Sequence, residues 1–213
     1  MPKLQLALDG ELDAALEILA ETRPFIDIAE VGTPLIYREG LRALRQIHAL
    51  HPDLSLLADL KIMDAGEQEA AIAFSAGADI VTALALANDA TIAGAARAAR
   101  NYGKRVMADM MQVANPLARG RQLLGLGCDF LCLHRAHDLQ AAQAAPYAWL
   151  AQLRSKMPAA QLAIAGGITL DALPYILPCQ PQVIIVGSAI TQSSEPAGMA
   201  RRFAERIRGY DHS

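Results

Sequence analysis

Residues 54–85 read "LSLLADLKIMDAGEQEAAIAFSAGADIVTALA". The stretch splits into three pieces. "LSLLADL" (54–60) is an apolar run of strand length, "GEQEAAIAFSAG" carries apolar residues at helical spacing, and "DIVTALA" (79–85) is a second apolar run. Gly77 sits where a helix C-terminal glycine is expected, directly before the next strand. The reading is therefore strand, helix, strand, and such a unit pairs its strands in parallel. At the end of the first strand stands Asp-x-Lys-x-x-Asp, made by Asp59, Lys61 and Asp64. In a regular strand Asp59 and Lys61 share one face and Leu60 points to the other. Opposite charges would then lie side by side where a core belongs. They form either a salt bridge at a strand end or part of a functional site.

The same unit recurs along the chain. Further apolar runs are "LQLAL" (4–8), "FIDIAEV" (25–31), "RVMADM" (105–110), "DFLCLH" (129–134), "QLAIAG" (161–166) and "VIIVGS" (183–188). Between runs lie alanine-rich stretches such as "ELDAALEILAET", "REGLRALRQIHAL", "NDATIAGAARAARNYG", "PLARGRQLLGLG", "LDALPYIL" and "PAGMARRFAERIRG". About eight strand–helix units of about 25 residues predict a closed (β/α)₈ TIM barrel, a single domain over residues 1–213. An open doubly wound sheet is the alternative, but "LALDGELDA" lacks the glycine-rich fingerprint that usually follows its first strand.

Composition limits the function classes. Hydrophobic residues make up 53% of the 213, enough for a large core, and the net charge is −3. No basic run interleaved with aromatics points to nucleic acid. No segment approaches the roughly 20 apolar residues that span a membrane, and the apolar stretch in "MPKLQLALDG" is too short for a signal peptide. Cys128, Cys132 and Cys179 show neither a CxxC pair nor zinc spacing. Cys128 and Cys132 read as buried thiols. A soluble cytoplasmic protein is the expectation.

In a barrel of this kind, chemistry sits where strands end at the C-terminal face. Strand one ends in Asp9, strand two in Glu30, strand three in Asp59 and Lys61 with Asp64 beyond, and strand five in Asp109. Strand six ends in His134, followed by Arg135 and His137. Ionisable groups thus collect at one end of successive strands. Glu30 and Asp59 supply hard oxygen donors that suit Mg²⁺ together with water and substrate oxygens; otherwise they are hydrogen-bonded structural carboxylates. Lys61 could stabilise an enolate oxygen or form a Schiff base, and the surrounding carboxylates favour the first by holding its charge. His134 is a candidate proton carrier near neutral pH. The last two strands end in "AGGIT" and "VGSAIT", where Gly166, Gly167 and Gly187 let the backbone approach a phosphate. A small sugar phosphate is the expected ligand.

These residues, in this order, resemble the orotidine 5'-monophosphate decarboxylase suprafamily. Within it they resemble the branch of 3-hexulose-6-phosphate synthase and 3-keto-L-gulonate 6-phosphate decarboxylase. "LQLALD", "DIAEVGTPLIYREG", "LLADLKIMDAG", "GADIVT", "DLQAA", "AIAGGI" and "IIVGSAIT" carry the likeness over about residues 3–206. The resemblance implies Mg²⁺ on Glu30 and Asp59, an enediolate steadied by Lys61, and protons handled by His134. Asp9 would position substrate hydroxyls, and Gly166, Gly167, Gly187 and Ser188 would hold the phosphate. Asp64 would reach the neighbouring subunit's site, so a homodimer with shared active sites is implied.

Position by position, the two sister activities divide the chain. Asp109 and Ala165 resemble the synthase, where the decarboxylase tends to carry Glu and Thr. Ser188 stands where the decarboxylase has a phosphate-binding arginine. "HRAHD" (134–138) resembles the decarboxylase's "HRSRD" more than the synthase's "HTGYD", which makes Arg135 and His137 candidate site residues. The expected activity is the synthase, an aldehyde-lyase that adds the enediolate of ribulose 5-phosphate to formaldehyde. The decarboxylase, a carboxy-lyase, is the alternative. A catalytically silent sugar-phosphate-binding protein is a third reading, which intact Asp59, Lys61 and Asp64 disfavour.

Overall fold

The computed structural model describes residues 1–139 and 146–210. Eight strands run in parallel in sequence order and close into a barrel. They are β1 (Lys3–Leu8), β2 (Ile28–Val31), β3 (Ser55–Ile62), β4 (Ile80–Leu84), β5 (Arg105–Asp109), β6 (Phe130–His134), β7 (Gln161–Ala165) and β8 (Val183–Val186). The principal helices outside the barrel are α1 (Leu12–Thr22), α2 (Thr33–Glu39), α3 (Arg42–Leu50), α4 (Gly66–Ser75), α5 (Asp89–Tyr102), α6 (Pro116–Leu126) and α7 (Tyr147–Lys156). Short α8 (Leu173–Ile176), short α9 (Ser188–Thr191) and α10 (Pro196–Arg208) follow. No described helix is long and apolar enough to cross a membrane.

Two differences from the expected elements have local causes. "REGLRALRQIHAL" is two helices rather than one, because Gly40 takes φ 57° and ends α2 before α3 begins. "LDALPYIL" yields only the single turn of α8 between two 3₁₀ turns, where Pro174 and Pro178 interrupt continuous i→i−4 bonding. The "DLQAA" stretch reaches beyond the described residues after Leu139.

Strand periodicity separates two cores. Leu4, Leu6 and Leu8 point outward and pack with the helices. Inside the barrel Ile28, Leu57, Ile80, Met107, Cys132 and Ile185 form an apolar plug. The next inward position on each of those strands, two residues on, carries Glu30, Asp59, Thr82, Asp109, His134 and Gly187. One face of each of these six strands thus changes from apolar to polar or open at its C-terminal end.

Carboxylates also occupy the opposite face of the barrel, with another task. Asp27, Asp79 and Asp129 each precede an even-numbered strand. Each accepts from the backbone N–H of the preceding strand's second residue: Leu4 at 2.8 Å, Leu56 at 2.9 Å and Val106 at 2.8 Å. Gln182 repeats the contact before β8, with Leu162 N–H at 2.7 Å from its Oε1. These clamps satisfy strand-end donors that would otherwise lack partners.

Candidate active site

The Asp-x-Lys-x-x-Asp stretch does not leave β3 as a regular strand. Its register with β4 shifts between Ala58 and Ile62, and Lys61 takes φ 49°. A bulge therefore turns Lys61, while Leu60 packs toward the helices. Left-handed backbone at a residue with a Cβ costs roughly 1 kcal/mol. The Lys61 N–H donates to Thr82 Oγ1 at 2.9 Å, which helps to hold the bend. The ammonium group is bonded to Asp59 Oδ2 and lies 3.7 Å from Asp109 Oδ2. Burial alone would lower the Lys61 pKa, but Asp59 and Asp109 outweigh it and raise it. The side chain is held as a cation, which suits an electrostatic role better than a Schiff base.

Asp59 is buried, and each of its oxygens accepts at least one hydrogen bond. Thr82 Oγ1 donates to its Oδ1 at 2.7 Å, and Thr33 Oγ1 lies 2.9 Å from its Oδ2. Glu30 stands on the neighbouring strand, with Gln5 Nε2 donating to its Oε2 at 2.5 Å. Burial first, and the charge of Asp59 second, push the Glu30 pKa up to about 8. Asp109 and His134 form the far side, with His134 Nδ1 2.8 Å from Asp109 Oδ2. Burial opposes both charges. The hydrogen bond and mutual attraction prevail, so the Asp109 pKa falls and the His134 pKa rises. The contact occupies Nδ1, leaving Nε2 as the ring nitrogen for exchange with a ligand.

Asp9 stands at the mouth, its pKa raised by desolvation and by Asp59. A Cβ on Gly32 would fall 1.9 Å from Asp9 Oδ1, so the glycine of "EVGTP" is what permits this approach. Across the cavity the backbone of Ala165, Gly166, Gly167, Gly187 and Ser188 forms one wall. Gly166 has φ 94°, and a Cβ there would meet the Arg135 carbonyl oxygen at 2.1 Å. Acidic cluster and glycine wall enclose about 780 Å³, within the usual range for a small-molecule site.

Some expected residues stand differently. Arg135 does not line this cavity; its guanidinium donates to the Gly166 carbonyl at 3.2 Å and so braces the turn. Asp64 is exposed, accepts from Ala65 N–H at 2.8 Å and is also outside the cavity lining. His137 reaches the rim with its side chain 92% exposed, 3.6 Å from Asp138. Gln5, Thr33 and Thr82 belong to the site although the sequence reading did not single them out. Period-two spacing could have found two of them: Gln5 lies four residues before Asp9, and Thr82 two after the inward Ile80.

Glu30 and Asp59 are two hard oxygen donors on neighbouring strands, a donor chemistry compatible with a divalent cation that takes its remaining ligands from elsewhere. With all ionised, the four carboxylates of Asp9, Glu30, Asp59 and Asp109 exceed Lys61 and protonated His134 by two negative charges. Among the described residues no three His, Cys, Asp or Glu are grouped to hold a metal. An ion on Glu30 and Asp59 would complete its shell with water and substrate oxygens, as Mg²⁺ commonly does.

The fold and site together define a (β/α)₈ barrel with an acid–lysine–histidine cluster facing two glycine turns. Residues 2–203 match the family described as Orotidine 5'-phosphate decarboxylase / HUMPS family, and the chain belongs to it. It is 41% identical to a 3-hexulose-6-phosphate synthase of Bacillus subtilis (strain 168), covering 96% of this chain and 98% of that protein. Among solved structures, 3-hexulose-6-phosphate synthase from Salmonella typhimurium is 40% identical with a TM-score of 0.95, covering 98% of this chain and 100% of that one. The 3-keto-L-gulonate-6-phosphate decarboxylase from Vibrio cholerae is 26% identical with a TM-score of 0.88, covering 99% of both chains.

Proposed function

We propose that the protein is a cytoplasmic, homodimeric, Mg²⁺-dependent 3-hexulose-6-phosphate synthase. Its reaction joins D-ribulose 5-phosphate to formaldehyde through an enediolate. The observation that carries this reading is the cavity in which Lys61, Asp109 and His134 face the glycine wall. Near-full-length identity of 35–41% to curated synthases supports it. Glu30 and Asp59 would hold Mg²⁺, which when bound supplies Lewis-acid stabilisation of negative oxygen. The backbone at Gly166, Gly167, Gly187 and Ser188 binds the phosphate, and Asp9 orients a sugar hydroxyl. His134 Nε2 removes the C1 proton of ribulose 5-phosphate, with Asp109 supporting the imidazolium that forms. The Lys61 ammonium stabilises the enediolate oxygen. C1 then attacks the formaldehyde carbon, a C–C bond forms, and the aldehyde oxygen takes up the proton from His134.

Asp109 and Ala165 favour addition over decarboxylation because both are small. A Glu or Thr in their places would fill space that a second carbon electrophile needs. A second reading, 3-keto-L-gulonate 6-phosphate decarboxylase, is favoured by His137 at the cavity rim, where it could position a water that protonates the enediolate. Assay of the purified protein with ribulose 5-phosphate, formaldehyde and Mg²⁺ tests the proposal. Hexulose 6-phosphate formation is expected. A higher kcat/KM for loss of CO₂ from 3-keto-L-gulonate 6-phosphate would replace the synthase with the second reading, and no turnover of either substrate would leave a binding protein.

A further inference from the structure

Gln5 is wholly buried inside the barrel, on a strand whose inward face otherwise carries Ala7 and then Asp9. Its Nε2 donates to Glu30 Oε2 at 2.5 Å, while its Oε1 is buried with no hydrogen-bond partner among the described residues. A carboxamide is a poor choice for filling an apolar plug, since an unpaired buried oxygen is destabilising. Filling the barrel interior beside its strand partner Ile28 would be served better by leucine or methionine. What an apolar side chain lacks is the N–H group aimed at Glu30. With a cation bound, Glu30 would be ionised and could only accept, so only the amide N–H edge of Gln5 could face it. Engaging Oε2 leaves the second carboxylate oxygen, Oε1, for a ligand.

We propose that Gln5 is a positioning residue for the cation site: its carboxamide fixes the Glu30 carboxylate in the orientation that presents Oε1 to a divalent metal. The inference rests on the Mg²⁺ assignment made above. It deepens that assignment by naming a residue that acts on metal affinity through Glu30 rather than by touching the ion. Partners in this position typically change metal affinity by about 10–100-fold when removed. The unpaired Oε1 of Gln5 is consistent with the same role, because among the described residues the side chain is hydrogen-bonded to Glu30 and to no wider polar network.

Mn²⁺ serves as a spectroscopic stand-in for Mg²⁺, with free ion counted by electron paramagnetic resonance on the full chain. Gln5→Met, close in volume but without the donor, is expected to weaken Mn²⁺ binding by about tenfold or more. The metal concentration for half-maximal activity should rise in step with the loss of Mn²⁺ affinity. Val183→Ala, which loosens the same barrel interior without touching Glu30, should lower the melting temperature and leave Mn²⁺ affinity unchanged. Gln5→Asn, shorter by one methylene, provides a second variant if Gln5→Met fails to fold, and should weaken binding in the same direction. Wild-type protein that binds Mn²⁺ while a folded Gln5 variant binds it equally well overturns the role of Gln5 alone. Wild-type protein that binds no Mn²⁺ overturns the metal assignment and this inference with it.

Discussion

His134 Nδ1 lies 2.8 Å from Asp109 Oδ2, and each group shifts the other's pKa toward the charged pair. The His134 pKa is raised above its ordinary 6.5, so its contribution to stability is complete below that value and is lost as pH rises through the raised pKa. The Asp109 pKa is lowered below its ordinary 3.8, so its contribution is present above 3.8 and is lost as pH falls through the lowered value. The pair is therefore most stabilising between those limits. Asp109→Asn should lower the His134 pKa in an NMR titration and reduce kcat by about 100-fold or more. Its deficit in melting temperature should be largest near about pH 5 and shrink once His134 deprotonates. An unchanged His134 titration would break the assignment.

Mg²⁺ on Glu30 and Asp59, as proposed, would leave a pH signature. Without a cation, the Glu30 pKa stands at about 8, well above its ordinary 4.5. The folded metal-free protein then holds a proton that the unfolded chain releases, so its stability should fall as pH rises from 4.5 toward 8. Mg²⁺ should reverse the trend, and its apparent affinity should increase over the same range because binding displaces that proton. EDTA should abolish turnover and added Mg²⁺ restore it. Full activity after exhaustive chelation would remove Mg²⁺ from the mechanism, and borohydride trapping of substrate on Lys61 would replace it with a Schiff base.

Asp64 turns onto its own Ala65 N–H and lies outside its own cavity lining. If a second subunit completes the site, inactive Lys61→Ala and inactive Asp64→Ala proteins should regain partial activity on mixing. A heterodimer would hold one site with both lesions and one with neither. No recovery, with subunit exchange shown by mass spectrometry of differently tagged chains, would refute sharing.

His137 is exposed at the rim, far less constrained than His134. His137→Val is expected to lower kcat/KM for decarboxylation by about tenfold, which corresponds to about 1.4 kcal/mol of transition-state stabilisation, while addition to formaldehyde changes by less. Equal loss in both reactions would assign His137 a general binding role.

Asp79 belongs to the clamps at the barrel's other end, where it accepts from Leu56 N–H and pairs with Lys104 at 2.5 Å. Asp79→Ala leaves that buried strand end without its acceptor and should cost about 1–3 kcal/mol in urea unfolding. With the protein folded, kcat/KM should be unchanged. A selective loss of activity would contradict the division of labour between the two barrel ends.

The sequence by itself determined the barrel, because alternating two-fold and helical periodicities recur along the whole chain and parallel pairing follows from them. It also singled out Asp9, Glu30, Asp59, Lys61, Asp109 and His134, which line the cavity, since charged residues ending apolar runs stand out against the plug beneath them. Only the tertiary structure decided which carboxylates share the cavity and which clamp strands at the opposite face. Asp79 and Asp59 are alike in isolation, and their neighbours across the sheet separate them. Periodicity also misses the bulge at Lys61, which breaks the alternation it relies on. Gln5 and Thr82 carry no charge and lie within strand runs; their roles arise from partners 25 and 23 residues away. Arg135 and Asp64 differ for the same reason: sequence places a side chain on an element, but direction depends on the backbone turn that follows and on what packs beside it.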